Sequence, residues 1–224
     1  MHLTWKSLDN AVLFIAEDIP THYQDALQAL AFAKTDDGMA RFFPKDTPYL
    51  EMAFAHFQRS FETMLQQAAH EIPVAWEAAF EGLLQRIQSL GTDWWVTGSL
   101  AYALRGLPIE PGDLDFIVEG DGALQWREAL VDLLIEPTYE TSWFCKYWGR
   151  AFHHARIEWV GAIDPTSDFS YVQDFYLPVR DHLETVTWRG YSVRIPPLEP
   201  MLKLEEMRGR LDRVQLIREA LQKA

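Results

Sequence analysis

The chain changes its hydrophobic period at Thr92, and that change limits most what it can fold into. Before it, apolar residues recur at helical steps. Leu50, Phe54, Phe57, Phe61, Met64 and Leu65 form one stripe, which predicts a helix over about Pro48–Ala69. Trp76, Phe80, Leu83, Leu84, Ile87 and Leu90 form a second, over about Val74–Leu90, with Pro73 near its start and Gly91 at its end. The stretch KTDDGMARFFPKDT, from Lys34 to Thr47, reads as a loop, and residues 1–91 as a mostly helical region. From Thr92 the segments are shorter and alternate in kind. TDWWVTG reads as a strand ending on glycine, SLAYALRG as a short helix, and DLDFIVEG as a strand closed by the turn GDG.

Further on, Ala123–Leu134 reads as a helix. HHARIEWVGAI, LETVTW and YSVRI read as strands, and Glu199–Leu221 as helix broken near Gly209. The expected class is α+β with a mixed sheet, divided into a helical region 1–91 and a second unit 92–224 with a helical tail.

Composition narrows the function. Among 224 residues, 48% are hydrophobic, enough to bury a core and too many for a disordered chain. The net charge of −13 argues against broad binding of nucleic acid through a basic face. A local phosphate site is still compatible with it, because Met201–Ala224 holds six basic residues against four acidic ones. A single cysteine, Cys145, excludes an internal disulfide framework and fits a reducing, cytoplasmic setting. No run approaches the ~20 apolar residues of a membrane span, so no membrane partner is expected.

Three pieces carry chemistry. Thr97-Gly98-Ser99 leaves a strand and enters a helix, where glycine allows close backbone approach and serine can hydrogen-bond an anion. Read alone, it is a turn with a cap. Asp113-Leu114-Asp115-Phe116 puts two carboxylates on one side of a strand and two apolar residues on the other. Such a pair calls for a neutralising cation, and Mg²⁺ is the common choice where phosphate is involved. Ile157-Glu158-Trp159 sets one acid in an apolar, alternating strand. Other features are read as structural. His153 and His154 are adjacent in a strand and make a poor metal pair, Cys145 reads as a packed thiol, and most tryptophans of strand-like runs, Trp94, Trp95, Trp143, Trp148 and Trp159, read as core, with one of them a candidate to stack on a nucleotide base.

Together these pieces, VTGS, DLDF and IEW, resemble the nucleotidyltransferase superfamily of DNA polymerase beta type, whose pattern is hG[GS], [DE]h[DE]h and h[DE]h, with h apolar. The likeness is closer to the small bacterial nucleotidyltransferases of the minimal and AbiEii-like groups. It extends to GLPIEPGDLDF at Gly106–Phe116 and to RIPPLEPMLKLEEMRGRLDRVQLI near the C-terminus, and covers roughly residues 92–221. The chain departs from many AbiEii-like members in having Ile109 and Pro111 where they carry Arg and Thr.

The resemblance implies that Thr97, Gly98 and Ser99 hold the triphosphate of an NTP such as ATP, and that Lys203 touches phosphate. It implies that Asp113, Asp115 and Glu158 form a catalytic, two-ion Mg²⁺ site, with Glu158 ligating metal or acting as base. The implied enzyme is a nucleotidyltransferase moving an NMP group to a small-molecule acceptor, such as an antibiotic, or to a protein hydroxyl; a homodimer is compatible with the sequence. The alternative is a catalytically degenerate member that senses nucleotide or pairs with a protein in a toxin–antitoxin-like system.

Overall fold

Strands open the chain. The computed structural model describes residues 1–223. Strand β1 is His2–Ser7 and β2 is Ala11–Glu17. A 3₁₀ turn and α1, Gln24–Ala29, lead to β3, Ala33–Thr35, and β4, Gly38–Pro44. These strands pair antiparallel in the order β1-β2-β4-β3. The helical expectation therefore fails for residues 2–17 and 33–44, while Thr21–Ala29 is helical, and the loop expected at Lys34–Thr47 is largely a hairpin. The reason is physical. Ala11–Ile15 is buried at every position, so β2 shows a continuous apolar run without alternation, which periodicity cannot separate from a helix. The Asp and Gly residues read as loop make a tight turn instead: Thr35 pairs with Gly38, whose φ of +108° favours glycine.

The two striped helices form as expected. Helix α2, Leu50–Ala68, buries Leu50, Ala53, Phe57, Phe61, Met64 and Leu65. Helix α3, Trp76–Ile87, buries Phe80, Leu83, Leu84 and Ile87. Aromatic edges lock α2 to the N-terminal sheet, with Phe54 4.9 Å from Phe14 and 5.4 Å from Trp5 between ring centroids. This core also takes in Ile135 and Phe152 from later in the chain.

The second sheet positions the site. Strand β5 is Trp94–Thr97, α4 is Gly98–Leu104, β6 is Leu114–Val118 and α5 is Gly122–Ala129. Then come β7, Leu134–Glu140, β8, Cys145–His153, and β9, Ala155–Ile163. The helix expected over Ala123–Leu134 stops at Ala129, because Leu134 already belongs to β7. The order is β5-β6-β9-β8-β7, with β6 and β9 parallel and the other neighbours antiparallel. This is the mixed sheet of an α+β fold. Trp95, Trp126, Trp159, Phe80 and Phe116 are fully buried around it.

A π-helical turn, Val172–Tyr176, and α6, Leu177–Arg180, precede the hairpin of β10, Glu184–Trp188, and β11, Tyr191–Ile195. Helices α7, Leu198–Met207, and α8, Leu211–Leu221, end the chain and break at Gly209, where φ is +68°. Among the described residues no helix is long and apolar enough to cross a membrane.

Candidate active site

The site begins where β5 gives way to α4. Thr97 is extended and buried, and Gly98, at φ +62°, turns the chain into the helix. Thr97, rather than Ser99, stands at the cap position, and Ser99 is buried within the first turn. Thr97 pairs with Asp115 across β5 and β6. A Cβ on Gly98 would collide with the Asp115 Oδ2 atom, so alanine here would push that carboxylate aside as well as strain a backbone at φ +62°.

The three expected carboxylates converge. Asp113 lies just before β6. Leu114 and Phe116 point into the core, which leaves Asp115 on the open face. The parallel register sets Asp115 opposite Glu158 on β9. Arginines that the sequence reading did not single out hold two of the three. Arg156 Nη2 is 2.5 Å from Asp113 Oδ2, and its Nε is 2.8 Å from Glu158 Oε1. Arg150 Nε is 3.1 Å from Glu158 Oε2, and its Nη1 is 2.6 Å from Glu136. Glu136, buried on β7, also meets the buried Arg41 of β4. A line of alternating charges thus runs from the N-terminal sheet to Asp113.

Asp115 differs from its neighbours. Burial pushes its carboxyl well above the usual range, and Asp113 and Glu158 push it further, while Arg156 and Arg208 only partly offset this.

Asp115 and Gly98 separate two hollows. A cavity of about 300 Å³ is lined by Asp115 and Glu158 with Trp143, Phe144, Trp148, Phe169 and Tyr171. Burial pushes the Tyr171 hydroxyl up, so it stays protonated. A cleft of about 580 Å³ is lined by Gly98, Ser99, Asp113, Asp115, Arg208, Arg210 and Arg213. Those arginines fan around Glu205, which is 1% exposed, at 4.0, 3.5 and 3.6 Å respectively. Lys203 lies outside both linings, its ammonium 3.9 Å from Asp174. The sequence signals for the arginines were the basic excess of the tail and, for Arg210 and Arg213, the Gly-Arg and Asp-Arg steps of the resemblance.

No family model matches the chain, and no curated protein matches it. Solved structures give faint likenesses. One is a candidate nucleotidyltransferase of Thermotoga maritima, at 20% identity and a TM-score of 0.49, over 66% of this chain and 94% of that one. Another is ANT(2″)-Ia in complex with adenylyl-2″-tobramycin, at 12% identity and a TM-score of 0.45, over 64% of this chain and 87% of that one.

The residues expected to hold Mg²⁺ are together but not grouped as an ion site. Among the described residues no three acidic, imidazole or thiol side chains gather around a point that an ion could occupy. Arg156 bridges Asp113 and Glu158 instead, so these carboxylates do not fit a two-ion site as they stand. His153 and His154 lie 4.4 Å apart between ring centroids at the β8–β9 turn and line neither hollow. The Cys145 thiol is buried and pushed up to about 11, in keeping with a packed group.

Proposed function

We propose that this chain is an NTP-dependent nucleotidyltransferase, with residues 92–224 carrying the transfer machinery and residues 1–91 bracing it. One observation carries the reading: paired carboxylates at the meeting of an arginine cleft and a cavity, with glycine pressed against one of them. The arrangement suits a ligand with a strongly anionic part in one hollow. Arg208, Arg210 and Arg213 supply the positive charge for a polyphosphate. The strand-to-strand register supports Asp113, Asp115 and Glu158 as the reacting end.

In the reaction, a hydroxyl of the acceptor gives its proton to a carboxylate facing the cavity, Asp115 or Glu158. Its oxygen bonds to the α-phosphorus, the bond from that phosphorus to the bridging oxygen breaks, and pyrophosphate leaves towards the arginines. The chain contributes mainly position and charge. Mg²⁺, the cofactor expected from the sequence, supplies charge neutralisation in such transfers.

The same Arg156 bridge favours a second reading, a nucleotide sensor without turnover, since the protein's own cation already satisfies two carboxylates. Thermal shifts with ATP, GTP, CTP and UTP, each with and without Mg²⁺, test both. A nucleotide at ~100 times its Kd adds roughly 2.7 kcal/mol of stability. The expected result is an Mg²⁺-dependent shift with one nucleotide, lost in Asp115→Asn, with pyrophosphate released once an acceptor is added. A shift without pyrophosphate release across an acceptor screen selects the sensor. No shift with any nucleotide rejects both readings.

A further inference from the structure

Trp143 and Phe169 are 48% and 43% exposed, yet neither is loose. Trp143 stacks on Trp148 with centroids 5.1 Å apart and planes 12° apart, and it meets Phe169 edge-on at 5.2 Å. The Arg150 guanidinium lies 5.0 Å from the Trp148 ring centroid. The loops carrying these rings are tied together, because Asp164 N donates to Phe144 O at 2.9 Å. Large apolar rings held in place and left open to water mark a surface built for a ligand.

The chemistry of the cavity narrows that ligand. Its acids are Asp115 and Glu158, and Glu158 is already met by Arg150 and Arg156. The rest of the lining is mostly aromatic, with the aliphatic Ile117 and Val160, the small Thr97 and Gly98, and one cation, Arg208. A polycation finds no surplus of negative charge here, whereas a flat uncharged ring finds faces and edges to pack against. The two hollows also differ in their acids. The cavity is lined by Glu158 but not Asp113, and the arginine cleft by Asp113 but not Glu158, with Asp115 in both. In-line displacement requires the entering and leaving oxygens to lie on opposite sides of phosphorus. With pyrophosphate departing into the arginine cleft, the nucleophile enters from the aromatic cavity.

We infer that the acceptor is a small molecule whose hydroxyl is borne on, or next to, a flat uncharged ring that packs against Trp143 and Phe169. This rests on the transferase reading and names its acceptor class. The transfer forms a bond from ring-borne oxygen to α-phosphorus, releases pyrophosphate, and leaves the hydroxyl proton on a site carboxylate.

The test is calorimetric titration of the whole chain with 2-naphthol, with the polycation kanamycin, and with each NTP plus Mg²⁺. The variants are Trp143→Ala and Phe169→Ala, both at exposed positions. The expected result is saturable 2-naphthol binding that coexists with bound NTP and weakens about tenfold in each variant, with NTP affinity unchanged. Absent 2-naphthol binding overturns the proposal, as does tighter binding of kanamycin than of 2-naphthol. A roughly tenfold loss of NTP affinity in Trp143→Ala overturns it too, since the rings would then hold the nucleobase. Failure of the transferase reading shows separately, as NTP binding that is absent or insensitive to Asp115→Asn. In that case the acceptor role falls even if 2-naphthol binds.

Discussion

Gly98 shows how one residue can serve a site by what it lacks. Its φ of +62° already favours glycine, and an added Cβ would strike Asp115. Gly106 makes a clean comparison, because its φ is +81° but a Cβ there meets nothing within 4 Å. Gly98→Ala and Gly106→Ala should both lose roughly 1–2 kcal/mol to the left-handed backbone. Only Gly98→Ala should also displace Asp115, and so weaken nucleotide binding by about tenfold or more. Melting curves and calorimetric nucleotide titrations of the two variants separate these effects. Equal nucleotide affinity in both would show that the close approach has no part in binding.

At the scale of elements, the α7–α8 junction turns one buried acid into a basic surface. Glu205 is 1% exposed, receives the Tyr102 hydroxyl at 3.2 Å, and lies within 4.0 Å of Arg208, Arg210 and Arg213. Burial, and then Glu205, push the Tyr102 hydroxyl up, so it stays a donor. The three guanidiniums keep 25–45% of their side-chain surface in water, so they are partnered without being sealed. Glu205→Gln keeps the shape and removes the charge that gathers them. It should cost about 1–3 kcal/mol of stability and weaken pyrophosphate binding by about tenfold. Stability that falls while pyrophosphate affinity holds would make Glu205 a packing residue only.

Across the whole molecule, Arg41, Glu136, Arg150, Glu158, Arg156 and Asp113 join the N-terminal sheet to the candidate site. Burial alone would push Glu136 up, but Arg41 and Arg150 outweigh it and hold the carboxyl at about 2, against an ordinary 4.5. A depressed carboxyl stabilises the fold above its ordinary range, and that stability is lost as pH falls from about 4.5 towards 2, on the order of 3 kcal/mol in all. Denaturant midpoints should therefore drop across that window. In Arg41→Ala the drop should be shallower and the protein less stable at neutral pH, because Glu136 keeps only Arg150. An unchanged pH profile in Arg41→Ala would show that the N-terminal sheet contributes nothing to the charge line.

Local pattern by itself determined the helices α2 and α3, the β5–α4–β6 run and the alternation within β6 that sets Asp115 between the buried Leu114 and Phe116. Each is set by spacings of two to four residues, which survive in a linear string. The tertiary structure decided what depends on partners far apart in the chain. The four strands within residues 2–44 were hidden because β2 is covered on both faces, which erases alternation. Glu158 reached Asp115 through a parallel register 43 residues apart in numbering. Arg208, Arg210 and Arg213, rather than Lys203, line the cleft because Glu205 is buried beneath them. Trp143, read as core, stands at a cavity mouth because its loop folds back onto Trp148 and Phe169. The physical division is one of range. Periodicity encodes which face of an element is apolar, but the charges and rings that meet across elements are set only when those faces are buried against each other.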